Sequence, residues 1–494
     1  MPVCAVEDGR SLSGNYDSDF RMLRELFSRD GTFCFREIRV GAGMRCVLLY
    51  LDGMVNNELI CNAIIRPLLL SEPVQGDPAQ WLCETVLYAG DVKRCTRVRE
   101  LLRALLYGDS VLLAEGASAA LVINTKGFRT RGISEPENEA VQKGPREGFD
   151  EVAMLNLSQL RRRLQTPDLA VEVLRVGRRT DTAVFVCYLA SLARPRLVRE
   201  VRRRLEEISI DGILDANYIA ELTRDHPFSL FETTGSSERP DVIAAKLLEG
   251  RVALIVDGTP VVLTVPYLFC ENFQSDEDYY QSFWVSSVGR LLRYVSFFLT
   301  VSVPALYLAL LTHHTRLLPT FLLLSAAQSR AGVPFSSLTE CLILIAVLEL
   351  LGETGARMPQ QLGHTLGIVG GLVIGEAAVE ARLVSAPMLI AVALSGIAGL
   401  MVPRLRGAVL YARVGMVLLA ALSGLPGCFL GLTVIAVRLT GLTSYGFPYL
   451  SPLERPDLQG LKDTAWRLPW RFMRTRPAFS RNRVRQRGGK RREG

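Results

Sequence analysis

The chain has 494 residues, of which 49% are hydrophobic, with a mean hydropathy of +0.22 and a formal net charge of +7. This composition is too apolar for an ordinary soluble protein and too polar for a chain embedded wholly in a membrane, so both classes are excluded. The charge is uneven: residues 1–289 have a net charge of −7, residues 290–440 of +5 and residues 441–494 of +9. We therefore expect an acidic soluble region, a membrane region and a basic tail.

The first part of the chain is predicted to be a cytosolic α/β region. Residues 1–34 are polar and are expected to be poorly ordered. Short strands and helices alternate over residues 35–289, and the long loop 126–150 is expected to divide this region into two small subdomains. The predicted elements are a strand and helix at 46–69, a hairpin at 110–125, a helix at 151–164, strands at 170–177 and 182–190, a helix at 195–208 and a hairpin at 251–266.

Residues 290–440 are predicted to form an α-helical polytopic membrane domain, because a spanning helix needs ~20 mainly apolar residues. Segment 317–329 is too short and is expected to be a half-helix. The candidate spans are 291–312 with a kink at Pro304, 338–357, 362–387, 386–403 and 408–439, the last being one tilted span or two segments broken at 424–427.

The basic tail, residues 441–494, sets the predicted orientation. Basic residues next to a span stay cytoplasmic, so both termini are expected to be cytoplasmic, with four to six crossings between them. No secretory signal is expected, because "MPVCAVEDGR" has no cationic start followed by an apolar run. Two roles are expected for the tail: it acts only as a topology anchor, or it also contacts anionic membrane lipids.

The stretch "GIVGGLVIGEAAVEARLVSAP" (367–387) is glycine-rich and apolar but contains three charges. Its glycines recur every fourth residue and would form one narrow helix face for close helix packing. At a helical rotation of ~100° per residue, the two glutamates fall roughly opposite the glycine face, whereas the arginine lies toward the glycine face. The packing residues are Gly367, Gly371 and Gly375, and the charged residues are Glu376, Glu380 and Arg382.

A second predicted helix repeats this pattern, since Glu349, Glu353 and Arg357 share one face and the last two are spaced to pair. Carboxylates are costly against lipid, so Glu349 and Glu376, which lie deep in the apolar runs, are expected to face protein, a polar interior or a pore. The other four charged residues either join this polar path or snorkel at helix ends. Structural pairing would give the same spacing, so the pattern alone does not establish conduction.

No catalytic or cofactor-binding motif is found, so we expect neither an enzyme nor a cofactor. The ten cysteines have no CxxC pairing and are expected to be reduced thiols, and the four histidines form no metal-ligand set. A phosphate-binding loop and a nucleophile elbow are both missing. Basic clusters such as Arg161, Arg162 and Arg163 are expected to be solvated helix faces, and no nucleic acid partner is predicted because the domain is acidic.

Several ordered stretches together resemble one family. They are "YLDGMVNNELI" (50–60), "RGISEPENEAVQKGPREGF" (131–149), "LRRRLQTPDL" (160–169), "ERPDVIAAKLLEGRVALIVDGTP" (238–260), "SDEDYY" (275–280), "GVPFSSLTE" (332–340), "GARMPQQLG" (355–363) and the 367–387 stretch. The chain is similar, over roughly residues 35–475, to GerA-type spore germination proteins, the A subunits of nutrient germinant receptors. "PFSLFETTG" (227–235) departs from the family's usual Phe-Pro-Gln, which leaves the role of that loop open.

The resemblance implies a multi-pass protein of the inner spore membrane that works with a transporter-like B subunit and a lipoprotein C subunit. It also implies a homo-oligomer that conducts cations when germination starts. The loop "GPREGF", formed by Gly144, Pro145, Arg146, Glu147, Gly148 and Phe149, is then expected to couple the cytosolic region to that path. Two alternatives are a secondary transporter with a cytosolic regulatory domain and the sister A-subunit-like protein of the dipicolinate-release operon.

Overall fold

The structure is a computed structural model of the chain. It describes residues 10–40, 43–71, 77–127, 139, 141, 143–357, 371, 373, 375–451, 461–482 and 484, but not the side chains of residues 356 and 357.

A five-stranded antiparallel sheet with order β1-β2-β4-β5-β3 forms the first unit. Successive residues of a strand point to opposite faces, so Cys46 and Leu48 of its second strand pack on one side while Val47 and Leu49 pack on the other. Its elements are α1 (Tyr16–Leu26), β1 (Phe33–Val40), β2 (Met44–Leu51), a helix in three parts (Asn57–Leu59, Ile60–Ile65, Arg66–Leu70), a second in two parts (Pro78–Trp81, Leu82–Val86), β3 (Val92–Cys95), α2 (Val98–Leu106), β4 (Ser110–Ala114) and β5 (Ala120–Ile123).

The second unit repeats this topology, since its antiparallel sheet has the order β6-β7-β9-β10-β8 and its helices occur at the same places in the chain. The predicted α/β region with two subdomains is therefore two copies of one arrangement. The elements are α3 (Ala153–Arg163), β6 (Leu169–Val176), β7 (Thr182–Leu189), α4 (Pro195–Glu206), α5 (Ala216–Leu222), β8 (Gly235–Ser237), α6 (Pro240–Leu248), β9 (Val252–Val256) and β10 (Val262–Val265).

A buried ion pair joins the two units. Arg161 of α3 is 2% exposed, and its Nη2 lies 2.7 Å from both carboxylate oxygens of Asp30, which precedes β1. The backbone N–H of Gly31 donates to the Val171 carbonyl at 2.8 Å beside this pair. The expectation that Arg161 belongs to a solvated face was wrong, because the adjoining unit supplies a buried carboxylate that spacing within one helix does not reveal.

The amino-terminal segment also differs from its prediction. Within residues 1–34, expected to be poorly ordered, α1 is capped by Asn15, whose side chain accepts from the N–H groups of Asp17 and Ser18. Leu23 and Phe27 on its apolar side are buried against the first sheet. This amphipathic face explains why residues 16–26 are helical. Residues 1–9 lie outside the described part of the chain.

The remaining chain forms a mainly apolar helical bundle. Two helices among the described residues are long and apolar enough, by length and composition, to cross a membrane: Phe283–Thr312 and Pro403–Ser423. Two shorter apolar helices are Ala386–Gly399 and Leu425–Gly441. The bundle consists of α7 (Phe283–Thr312), α8 (Thr320–Arg330), α9 (Ser337–Arg357), a helical segment at 375–380, α10 (Ala386–Gly399), α11 (Arg406–Ser423) and α12 (Leu425–Gly441).

Its last two helices form a tight antiparallel hairpin, so the run at 408–439 is two segments. Gly424 breaks the run with φ of +70°, a conformation that favours glycine. A Cβ added at Gly427 would overlap the carbonyl oxygen of Leu419, and one at Gly431 would overlap the Met416 sulfur. The overlap at Gly427 is with a backbone atom, so glycine at this position allows α12 to approach α11 so closely, whereas the Met416 side chain beside Gly431 is able to shift.

Both ends of the helical bundle meet the second α/β unit. After α12, Ser444 accepts a hydrogen bond from the Tyr267 N–H at 3.0 Å and donates to the Thr233 carbonyl at 2.6 Å. The described part of the tail folds back on the start of α7, where Arg290 donates to the Asp463 carboxylate at 2.6 Å. Farther along the tail, Phe479 is buried beneath the Arg251 guanidinium. The tail therefore packs on protein over residues 461–482.

Candidate functional site

A buried ion pair lies inside the helical bundle. Arg413 of α11 is 2% exposed, and its Nη2 donates to the Glu349 carboxylate of α9 at 2.5 Å. Its Nη1 donates to Ser395 of α10 at 3.3 Å, and that hydroxyl donates to the Thr300 carbonyl of α7 at 2.8 Å. One arginine thus connects four helices, and Glu349 is neutralised within a single chain.

A second carboxylate holds the beginning of α10. Glu340 is fully buried and accepts hydrogen bonds from the backbone N–H and the hydroxyl of Ser385, at 2.6 and 2.5 Å. Ser385 is the residue that precedes α10, so the negative charge lies near the positive end of the helix dipole. This contact fixes the start of α9 against the start of α10.

The remaining predicted charges are not gathered around Glu349. Glu353, Glu376 and Glu380 are exposed in the single chain. Arg382 adopts a left-handed backbone conformation, with φ of +54°, in the turn before α10, and its side chain lies over Gly332. The Arg357 side chain lies outside the described residues, so its predicted pairing with Glu353 stays a prediction.

The predicted glycine face is only partly described, since Gly367 lies outside the described residues. An added Cβ at Gly371 would meet nothing within 4 Å, and one at Gly375 would be 3.7 Å from Leu389 of α10. Neither glycine therefore makes a tight helix contact with the described residues. The close helix approaches lie instead at Gly427 and at Gly396, where an added Cβ would be 2.8 Å from the Leu348 side chain.

The predicted coupling loop packs against the second α/β unit. Arg239, whose side chain is completely buried, donates to the Pro145 carbonyl at 2.9 Å and to the Asp241 carboxylate at 2.8 Å. Gly144 has φ of +126°, and an added Cβ would be 2.8 Å from the Tyr280 ring. This part of the loop is therefore held on the segment that leads into α7.

The second half of the predicted coupling loop also contacts the second α/β unit. Glu147 pairs with Arg163 of α3 at 2.8 Å and with Arg162 at 3.5 Å. Gly148 and Phe149 are buried, and the Phe149 N–H donates to the Glu238 carbonyl at 2.8 Å, whereas Arg146 is exposed.

A charged contact joins this region to the helices. Arg404, in the turn before α11, donates to Glu139 at 2.9 Å, and Glu139 also accepts from the Ser237 hydroxyl at 2.6 Å. Burial, together with the nearby negative charge of Glu139, raises the pKa of Asp276 to about 6, although Arg404 and Arg239 oppose the rise. Asp276 is therefore a pH-dependent group at the contact between the two parts of the chain.

Replacing Asp276 by asparagine should change how stability depends on pH. The folded carboxyl keeps its proton to a higher pH than the unfolded one, so unfolding of the natural chain becomes easier as pH rises from about 4 to about 6. The loss approaches 3 kcal/mol at most, at about 1.4 kcal/mol per pKa unit. Asp276→Asn should remove this loss and unfold at a higher temperature than the natural chain at pH 7.

The measurement is the thermal unfolding of the full chain in detergent across pH 4–7. Asp211→Asn, a change at a surface residue of the loop that follows α4, controls for the loss of one carboxylate. Parallel pH profiles for the natural chain and Asp276→Asn would contradict the assignment.

Sequence reasoning did not single out Arg413, Glu340 or Arg404. A signal for the first two was present, since a lone charge within or beside a long apolar run must find a partner. Arg404 had no comparable signal, because its partner Glu139 is 265 residues away in the chain. Among the described residues there is no group of three or more His, Cys, Asp or Glu side chains that could hold a metal ion.

The fold and these contacts define a class of protein: a duplicated α/β region attached to an apolar helical bundle with internal ion pairs. The profile described as "Bacillus/Clostridium GerA spore germination protein" matches residues 21–479. The chain therefore belongs to the GerA spore germination protein family, and the resemblance noted in its sequence is confirmed.

Two spore-former proteins are similar to this chain over most of its length. Spore germination protein KA of Bacillus subtilis is 39% identical over 447 residues, covering 90% of this chain and 82% of that protein. The uncharacterized membrane protein YfkQ of the same organism is 36% identical, covering 98% and 94%. The crystal structure of the N-terminal domain of the A subunit of the Bacillus megaterium spore germinant receptor GerK3 is 30% identical, covering 53% of this chain and 98% of that one, with a TM-score of 0.42.

Proposed function

We propose that this chain is the multi-pass membrane subunit of a spore germinant receptor that couples nutrient sensing to ion release, and that several copies assemble into a cation channel. Family membership supports the role in germination. The observation that carries the channel proposal is the exposure of Glu376 and Glu380 on a helical segment of the apolar bundle. Ionised carboxylates facing hydrocarbon are costly, so another protein chain or water must cover them.

Within this proposal the carboxylates have two different roles. Glu349 and Glu340 brace the bundle, because each already has partners within the chain. Glu376 and Glu380 line a polar path between neighbouring copies, together with Glu353 of α9. The glycine face at Gly371 and Gly375 remains proposed as a contact between helices of different copies, because neither has a tight neighbour among the described residues of one chain.

The coupling loop is proposed to transmit the signal. It is held between Arg239 and Tyr280, and its neighbour Glu139 contacts Arg404 at the entry to α11. A shift of the second α/β unit would therefore pull on α11, which carries Arg413. We propose a transporter-like B subunit and a lipoprotein C subunit as the partners that deliver the shift, with both termini of this chain in the cytoplasm.

Glu376→Gln should slow ion release and germination in spores that contain normal amounts of the protein. The change removes a negative charge from the proposed path while keeping side-chain volume, and we expect roughly a tenfold decrease in rate, the effect of about 1.4 kcal/mol on a barrier. Germination and cation release are measured together. Glu206→Gln, on the exposed side of α4, is the matched control.

Behaviour of Glu376→Gln identical to that of the natural chain would remove Glu376 from any role in conduction. The same purified complex, placed in liposomes, separates channel from transporter. A channel gives passive cation conductance, whereas a secondary transporter gives substrate uptake in fixed stoichiometry. The mass of the purified complex also gives the number of copies of this chain.

A further inference from the structure

A patch of exposed apolar side chains lies on the loop between α5 and β8, the loop whose sequence departs from the family pattern. Phe228 is 100% exposed and Leu230 is 53% exposed. Other exposed apolar side chains, spaced four residues apart, lie on and beside α5. They are Leu214, Tyr218 and Leu222.

Contacts with the end of the helical bundle fix where this loop lies relative to the bundle. Before the patch, Asp225 accepts hydrogen bonds from the Thr443 hydroxyl at 2.6 Å and the Gly446 N–H at 3.1 Å, and Thr443 follows the end of α12. After the patch, Phe231 is buried in the core of the bundle, with its ring edge-on to Phe269. The patch is therefore held beside the point where α12 leaves the apolar bundle.

The same end of the bundle has other features of a membrane surface. Val434 and Val437 face outward on the last turns of α12, and exposed Arg438 follows them. At the start of α7, the rings of Trp284 and Trp466 lie 6.2 Å apart, and both remain exposed. Tryptophan is enriched where a bilayer meets water, and arginine is in excess in cytoplasmic segments next to spans.

From these contacts we propose that loop 225–231 inserts into the lipid–water interface on the α/β side of the membrane. Phe228 and Leu230 then lie among the upper acyl chains, and Arg438 lies at the level of the lipid phosphates. The loop fixes the second α/β unit against the bilayer surface, so that unit can transmit a movement to α12 without tilting away from the membrane. This inference rests on the membrane location proposed above.

The test places a tryptophan in the loop of the full chain. The Phe228→Trp variant is reconstituted into nanodiscs that each hold one chain. The nanodiscs contain either ordinary lipid or lipid brominated near the headgroups, and the bromine quenches the fluorescence of nearby tryptophan. The signal is the tryptophan fluorescence of Phe228→Trp minus that of the natural chain, called the gained emission. We expect bromine to lower that gained emission about twofold, because an interfacial side chain lies about 5–10 Å into the headgroup and acyl boundary.

Two controls make the result decisive. Tyr88→Trp, at an exposed position of the first unit, should gain emission that bromine does not change. The tryptophans of the natural chain, among them Trp284, report whether the bundle lies in lipid. If bromine quenches the natural chain but not the emission added by Phe228→Trp, the proposed insertion of the loop is wrong and the membrane location still stands. Unfolding in detergent at the same temperature as the natural chain verifies folding.

Protection from both bromine and a water-soluble quencher would also overturn the proposal, since a protein surface would then cover Phe228. Free access of the water-soluble quencher to the introduced tryptophan, without bromine quenching, would show that the loop lies in water. Quenching by the brominated lipid in Phe228→Trp and in Leu230→Trp, but not in Tyr88→Trp, is the expected result.

Discussion

Alanine at Gly427 will open the hairpin of α11 and α12 and destabilise the helical bundle by about 3 kcal/mol or more, because overlap with a backbone atom cannot be relieved by a rotamer change. The added methyl group would overlap the Leu419 carbonyl oxygen. The two helices would have to separate, and the buried contacts of Met416 and Cys428 would be lost. The free energy of unfolding, measured by SDS titration in mixed micelles, checks this.

Gly415→Ala in α11 is the matched control. A Cβ there would meet nothing within 4 Å, and alanine favours a helix over glycine by about 1 kcal/mol. We therefore expect Gly415→Ala to be neutral or slightly stabilising. Equal effects of the two substitutions would mean that the close approach at Gly427 does not hold the hairpin together.

Replacing Glu349 by leucine will have the second large effect. The change leaves the buried guanidinium of Arg413 without its carboxylate, and the loss of one partner of a buried pair typically costs about 3–5 kcal/mol. Adding Arg413→Leu removes the stranded charge, so the double variant should be more stable than Glu349→Leu alone. The measurement is again the free energy of unfolding in mixed micelles.

The double variant also separates stability from function. If the ion pair only braces the bundle, spores with Glu349→Leu and Arg413→Leu together germinate more nearly normally than spores with Glu349→Leu alone. Arg196→Leu, at an exposed position of α4, should change stability by no more than about 0.5 kcal/mol. Additive losses for Glu349 and Arg413 would contradict a direct interaction between them.

Much of the α/β region could be predicted from local pattern. The hairpin at 251–266 follows from two apolar runs around Asp257 and Gly258, and its strands do pair antiparallel. The helix beginning at Pro195 follows from proline at its first turn and apolar residues at helical spacing. Local pattern did not reveal that the two units share one topology, because strand order depends on contacts between distant segments.

The candidate site was only partly predictable for the same reason. An isolated carboxylate in an apolar run predicts that a partner exists, and Glu349 was selected on that ground. Its spacing identified the helix face on which it lies but not its partner, because Arg413 is 64 residues farther along the chain. Likewise the four-residue glycine spacing singled out Gly371 and Gly375, but the tight approach lies at Gly427 and Gly431.

The sequence by itself determined the family, the α/β character of the first part of the chain, the helix and strand periods and the unusual charges in apolar segments. These properties depend on composition and on neighbours a few residues apart. Only the tertiary structure decided which charges are paired, where helices touch, and that the described part of the tail packs on the α/β region. Burial creates those contacts between residues far apart in the chain, and a periodic pattern identifies a face without identifying what covers it.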